Sequence, residues 1–214
     1  MNFERIGASH PLFEASFTLY EASFPPNERR TREDHLRALQ DADFFPLGAV
    51  EDGKLLADVF LWETEDFCYL EHFAVQPDLR GYGTGSTLLR QLLQREKPLI
   101  LEIEPPEDEL TCRRKRFYER NGLRAQPYRH VQLPFQGGGV EQVTALAEGR
   151  ERILVEHFGP RIEVVARRIV PLVIMSNRNL SAQQCRAFQQ YLLNRVVRYT
   201  QYRKTLDMAD IIDI

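Results

Sequence analysis

Four aromatic residues, Phe13, Phe17, Tyr20 and Phe24, recur at spacings of four, three and four. That is one stripe of an α-helix. The pattern predicts a helix from Pro11 to about Phe24, with Ser9 as its N-cap and Pro25-Pro26 as its stop. A charged loop from Asn27 to Arg32 follows. A shorter helix then runs from Glu33 to Gln40, with Leu36 and Leu39 inward. Phe3 to Ile6 is long enough for a short first strand. Phe44 to Glu51 and Leu55 to Trp62 flank Asp52-Gly53, a tight-turn dipeptide, and predict a β-hairpin. Phe67 to Val75 reads as a further strand, rich in aromatics. Leu88, Leu89, Leu92 and Leu93 lie on one face of a helix that starts at Thr84 and runs to about Glu96.

Leu99 to Glu104 is the next strand, parallel to the one before the helix because a helical crossover joins them. Pro105-Pro106 ends it. Glu107, Asp108 and Glu109 suit the start of a helix that runs to Asn121, with Gly122 as its stop. Tyr128 to Phe135 reads as a strand, and Gln136 to Gly139 as a glycine-rich break. Val140 to Phe158 is helical in pattern. Ile169 to Met175 is an apolar strand-like run. Ser181 and Gln184 form a capping box for a last helix to about Lys204, with Phe188, Leu192, Val196 and Tyr199 on one face. A meander of strands followed by strand–loop–helix units argues for one mixed sheet.

Composition adds little to that picture and excludes some classes. The chain has 214 residues, 43% hydrophobic and 28% charged, with a net charge of −3. This is an ordinary globular balance. It gives no electrostatic reason to expect a nucleic-acid or anionic-membrane partner. Cys68, Cys112 and Cys185 lie far apart, without metal-ligand spacing, and read as reduced thiols. No apolar stretch approaches the ~20 residues of a membrane span, and MNFERIGASH is not a signal segment. A cytoplasmic protein without metal is the expectation.

The candidate chemistry centres on Gln76-Pro77-Asp78-Leu79-Arg80-Gly81-Tyr82-Gly83-Thr84-Gly85-Ser86, between the aromatic strand and the following helix. Glycines let backbone N–H groups approach a ligand, and a helix N-terminus favours an anion. A pyrophosphate cradle is the first reading. A Walker loop lacks its lysine here. A dinucleotide fingerprint has Ser86 where its third glycine belongs, although Glu102 and Glu104 lie about 20 residues on, where a ribose-binding carboxylate would sit. A plain glycine-rich turn is the bland alternative.

The string Arg80-x-x-Gly83-x-Gly85 also resembles the Arg/Gln-x-x-Gly-x-Gly/Ala signature of GNAT-family N-acetyltransferases. Leu70-Glu71-His72-Phe73-Ala74-Val75 looks like that family's bulged fourth strand. Arg116-Phe117-Tyr118-Glu119-Arg120-Asn121-Gly122-Leu123 looks like its tyrosine-bearing helix end, with Leu123 in place of the common aromatic. The resemblance covers residues 1 to 135 in element order and 69 to 123 in motif detail. It implies a mixed α/β acyl-CoA N-acyltransferase fold of about seven strands flanked by helices. It also implies acetyl-CoA as co-substrate and an amine of a small molecule or peptide as acceptor, attacking directly in a ternary complex. A protein of the same fold that senses acetyl-CoA or binds a partner, with no turnover, is the rival reading.

The resemblance also assigns roles. Arg80, Gly81, Tyr82, Gly83, Thr84, Gly85 and Ser86 would hold the pyrophosphate. The backbone of Phe73, Ala74 and Val75 would pair with the pantetheine arm and polarise the thioester carbonyl. Tyr118 is the candidate general acid, since a phenol can protonate a departing thiolate. Glu71 is the candidate base, on a strand face shared with Tyr69 and Phe73 unless a bulge inverts the parity. Glu102 and Glu104 could join Glu71 in an acidic acceptor pocket. One domain, 1–214, would comprise a core of 1–135 plus a strand near 169–175, a helical insertion at 137–167, and a C-terminal helix at 181–204. That helix is a candidate homodimer contact.

Overall fold

A computed structural model describes residues 1–132, 135–136 and 170–199. Asn2–Arg5 (β1) pairs with Phe44–Glu51 (β2), which forms a hairpin with Lys54–Glu63 (β3). The hairpin turn holds Asp52 at φ 51° and Gly53 at φ 72°, the left-handed pair that an Asp-Gly turn supplies. Next come Cys68–Val75 (β4), Leu99–Ile103 (β5), Arg124–Ala125 (β6), His130–Gln132 (β7) and Val170–Ser176 (β8). The sheet runs β1-β2-β3-β4-β5-β8-β6, with β7 also paired to β8. Its one parallel pair among the described strands is β4 with β5. The expected mixed sheet of about seven strands is therefore present. The strand expected from Tyr128 begins at His130.

The helices are Phe13–Ser23 (α1), Arg32–Ala38 (α2), Thr84–Leu92 (α3), Glu109–Arg120 (α4) and Ala182–Arg198 (α5). Their starts follow side-chain capping more closely than charge. Thr31 caps α2, Asp108 and Thr111 make a capping box for α4, and Ser181 and Gln184 make the one expected for α5. Ser9 does not cap α1, whose N-cap is Leu12 without a side-chain bond. The expected insertion at 137–167 lies outside the described residues.

The helices divide between the two sheet faces because the strands alternate. Tyr20, Phe60, Trp62, Tyr69 and Ile100 form one core with Phe188 and Leu192 of α5 and its C-cap Tyr199. Leu61, Leu70, Leu101 and Met175 form the other with Leu89 and Leu92 of α3. Each fully buried side chain of this size contributes roughly 1.5–3 kcal/mol. Phe188 and Leu192 of α5 are buried in the chain's own core.

Two irregularities open a site in this sheet. β4 and β5 pair only from Cys68↔Leu99 to Leu70↔Leu101. Beyond Leu70, the β5-facing edge of β4 has no strand partner among the described residues. In the same place, Leu61 pairs with Leu70 and Phe60 with His72, so Glu71 is the extra residue of a β-bulge.

Candidate active site

The gap between β4 and β5 opens into a cleft of about 830 Å³. Phe73, Ala74, Val75, Arg80, Gly81, Gly83, Gly85 and Ser86 line it, together with Tyr118, Glu71, Glu102 and Glu104. Tyr82 is 84% exposed and is not on the wall, and neither is Thr84. Most residues singled out from sequence therefore meet in one place.

The anion-binding geometry is local. Gly81 and Gly83 have φ of 87° and 86°, a conformation that costs a Cβ-bearing residue roughly 1–2 kcal/mol. Gly83 is the N-cap of α3 and supplies no side-chain bond. The first helical bond runs from Thr87 N–H to the Gly83 carbonyl. The N–H groups of Thr84, Gly85 and Ser86 precede it and stay available for an anion. Arg80 holds the loop from below, its Nε donating to the Val75 carbonyl at 2.9 Å. At the other end of α3's first turn, Asn121 Nδ2 donates to Ser86 Oγ at 3.2 Å and to the Phe117 carbonyl at 2.8 Å. This ties the glycine loop to the helix that carries Tyr118. Gly83→Ala should cost about 1–2 kcal/mol through φ alone. It should lower Tm by roughly 2–8 °C and weaken anion binding at the loop, both readable by thermal melts with and without acetyl-CoA.

Tyr118 projects from α4 toward the apolar wall formed by Phe117 and neighbouring core residues. Burial pushes its phenol up to about 12. It is therefore protonated throughout the neutral range. Its hydroxyl has no hydrogen-bond partner among the described residues and faces the cleft with Arg114 and Glu104 nearby.

The carboxylates depart from the sequence-based expectation. Glu71 does not share a face with Phe73, because the bulge turns it toward the core beneath α1 and α5. There it receives a two-pronged bond from Arg30, with both N···O distances 2.7 Å. Trp62 Nε1 donates to it at 2.9 Å, and Arg195 Nε from α5 lies 3.2 Å away. The side chains of Arg30, Glu71 and Arg195 are all 2% exposed or less. Burial acts to raise the Glu71 carboxyl, but Arg195 and Arg30 overcome it and hold the group well below the ordinary carboxylate range. A carboxylate held this way is a poor proton acceptor, so Glu71 is not set up as the base. Glu102 accepts from the Tyr69 hydroxyl and pairs with His130. Glu104 pairs with Arg114. Each carboxylate of the supposed acidic pocket is therefore already tied to another side chain.

Sequence reasoning missed Arg30, Trp62, His130 and Arg195, and it left Glu28 inside an anonymous charged loop. No spacing could have found the first group, because Arg30 and Glu71 stand 41 residues apart. The turn Pro26–Glu28 that follows α1 carries the one sequence signal for Glu28, a proline-initiated 3₁₀ turn. Among the described residues, no three metal-ligating side chains converge, and no helix is long and apolar enough to cross a membrane.

A model of the Acetyltransferase (GNAT) family matches residues 11–123. The chain is 31% identical over 113 residues to "Putative acetyltransferase YjbC" of Bacillus subtilis, an alignment that takes in 51% of this chain and 54% of that protein. The chain thus spans about half the length of that curated relative. Among solved structures, it resembles "Putative acetyltransferase from GNAT family" from Bacteroides thetaiotaomicron, with a TM-score of 0.72 at 24% identity, over 94% of this chain and 100% of that one. A Bacillus subtilis acetyltransferase solved in complex with CoA is similar at a TM-score of 0.50 and 12% identity, over 84% of this chain and 99% of that one. These likenesses show the fold.

Proposed function

The chain belongs to the Acetyltransferase (GNAT) family, and from that premise we propose that it moves an acetyl group from acetyl-CoA to a primary amine of a small molecule or peptide. The observation that carries the reading is the parting of β4 from β5 beyond Leu70, with the α3 N-terminus at one end of the gap and Tyr118 on its wall.

The residues fit the co-substrate. The free N–H groups of Thr84 to Ser86 take the pyrophosphate. The unpaired edge of β4 at Phe73 to Val75 offers backbone groups to the pantetheine amides, which pair as an added strand would. An N–H on that edge polarises the thioester carbonyl where negative charge develops. Both substrates occupy the cleft together. The amine nitrogen attacks the carbonyl carbon, the C–N bond forms and the C–S bond breaks. The Tyr118 hydroxyl gives its proton to the departing sulfur. Arg80 and Asn121 are positioning residues that hold the loop and α4 in register.

Two measurements test this. Acetyl-CoA at 100 times its Kd should raise stability by about 2.7 kcal/mol, or Tm by roughly 5–10 °C, while NAD leaves it unchanged. Thiol release from acetyl-CoA should depend on added amine across a panel of 1,4-diaminobutane, lysine amide and an alanyl peptide. Binding without amine-dependent release would leave an acetyl-CoA sensor and overturn the enzyme.

A further inference from the structure

Four carboxylates border the cleft: Glu28, Glu71, Glu102 and Glu104. Glu71 and Glu104 are bound by arginines, and Glu102 by the Tyr69 hydroxyl and His130. Glu28 alone has no ion pair or side-chain hydrogen bond among the described residues. Its backbone, by contrast, is fixed. His72 Nε2 lies 2.8 Å from the Glu28 carbonyl, and the Glu28 N–H donates to Pro25. His72 is buried between Tyr20 and Phe24 and sits on β4 next to Phe73. The adjoining loop is pinned from the far side, where the Phe135 N–H donates to the Asn27 carbonyl at 2.8 Å. A rigid backbone thus carries an uncommitted carboxylate into the acceptor side of the cleft.

Resting on the acetyl-transfer reading above, we infer that Glu28 is the catalytic base that receives the acceptor's proton, and that the acceptor is a cationic primary amine. An ammonium entering this cleft meets one carboxylate that has no ion pair or side-chain hydrogen bond among the described residues. It loses one proton to Glu28 and becomes nucleophilic. Its nitrogen bonds to the acetyl carbon as the C–S bond breaks. The second nitrogen proton restores Tyr118 after Tyr118 has protonated the thiolate, and Glu28 passes its own proton to water. Atoms and charge balance as ammonium plus thioester giving amide, thiol and one released proton.

The groups facing Glu28 suit the role. Glu104 lies near it just past the end of β5 and Arg114 on α4, while His72 of β4 sits against its backbone carbonyl and Glu71 lies behind His72, tied to Arg30. Burial, then the charge of Glu104, raise the Glu28 carboxyl above its ordinary value, and Arg114 only partly opposes this. A base whose pKa moves toward neutrality transfers protons more effectively than one left at an ordinary carboxylate value.

The test is kcat/KM against pH with the panel amines, for wild type, Glu28→Gln, Glu28→Asp and Glu28→Ala. Glu28→Gln should lower kcat/KM by roughly 10²-fold or more and abolish the acid limb of the profile. Acetyl-CoA affinity and Tm should stay at wild-type values. Glu28→Asp should keep the limb and part of the rate, and added formate should raise the rate of Glu28→Ala. Glu28→Gln within threefold of wild type with the limb intact overturns the assignment and leaves acetyl transfer standing. So does a Glu28→Ala enzyme, folded or destabilised, that formate does not rescue. A wild type inactive on every panel amine overturns acetyl transfer itself and Glu28 with it.

Discussion

Tyr118→Phe is expected to lower kcat by about 10²-fold, at the low end of the 10²–10⁴ range for general acids, because a thiolate leaves without much help. That is roughly 2.7 kcal/mol of transition-state stabilisation. The hydroxyl makes no hydrogen bond within the described residues, so its removal should leave Tm and acetyl-CoA affinity nearly unchanged. The phenol, pushed up to about 12 by burial, is protonated throughout pH 6–9. The wild-type to variant ratio should therefore stay constant across that window. Single-turnover kinetics at saturating co-substrate would check this. A kcat equal to wild type, or a loss confined to co-substrate affinity, would remove the acid role.

The largest effect on stability is expected at Glu71. Glu71→Gln leaves Arg30 and Arg195 buried with no anion between them, and breaking a buried pair this way costs about 3–5 kcal/mol. For a chain of this size the fall in Tm should be roughly 6–20 °C. The pH dependence has a definite sign. The folded carboxyl lies well below its unfolded value. Its contribution is therefore complete above the unfolded carboxylate range near pH 4.3 and fades as pH falls through the folded value. At pH 7 the wild type holds all of it, whereas Glu71→Gln has lost it at every pH. Denaturant melts at pH 7 and pH 4 would show the difference. Because Arg195 belongs to α5, the variant should also expose that helix to hydrogen exchange before the sheet. If Glu71→Gln kept wild-type stability and lost only turnover, a direct catalytic role would return.

Both outcomes turn on where the chain's information is local. The Asp-Gly hairpin, the α4 and α5 caps and the glycine loop each depend on residues within a few positions. Their geometry follows from φ preference and short-range hydrogen bonding. Tyr118 was likewise legible, because the run Arg116 to Leu123 resembles the family's tyrosine-bearing helix end within adjacent residues. The alternation along β4 was legible only up to Leu70. One extra residue at Glu71 reverses which face a side chain meets, and no composition signal marks it.

What the sequence determined by itself was the donor half: a mixed sheet, a strand–loop–helix anion cradle, and a tyrosine carried to it. Tertiary structure alone decided which of the cleft's carboxylates are paired. A carboxylate reads the same in sequence whether it is free or paired. Its chemistry depends on which cation the fold brings within about 3 Å, where a charge-assisted bond forms and the pKa moves. Arg30 reaches Glu71 from the loop before α2 and Arg195 from α5, His130 reaches Glu102, and Arg114 reaches Glu104. Only after those pairings are known does Glu28 stand out as the cleft's uncommitted carboxylate.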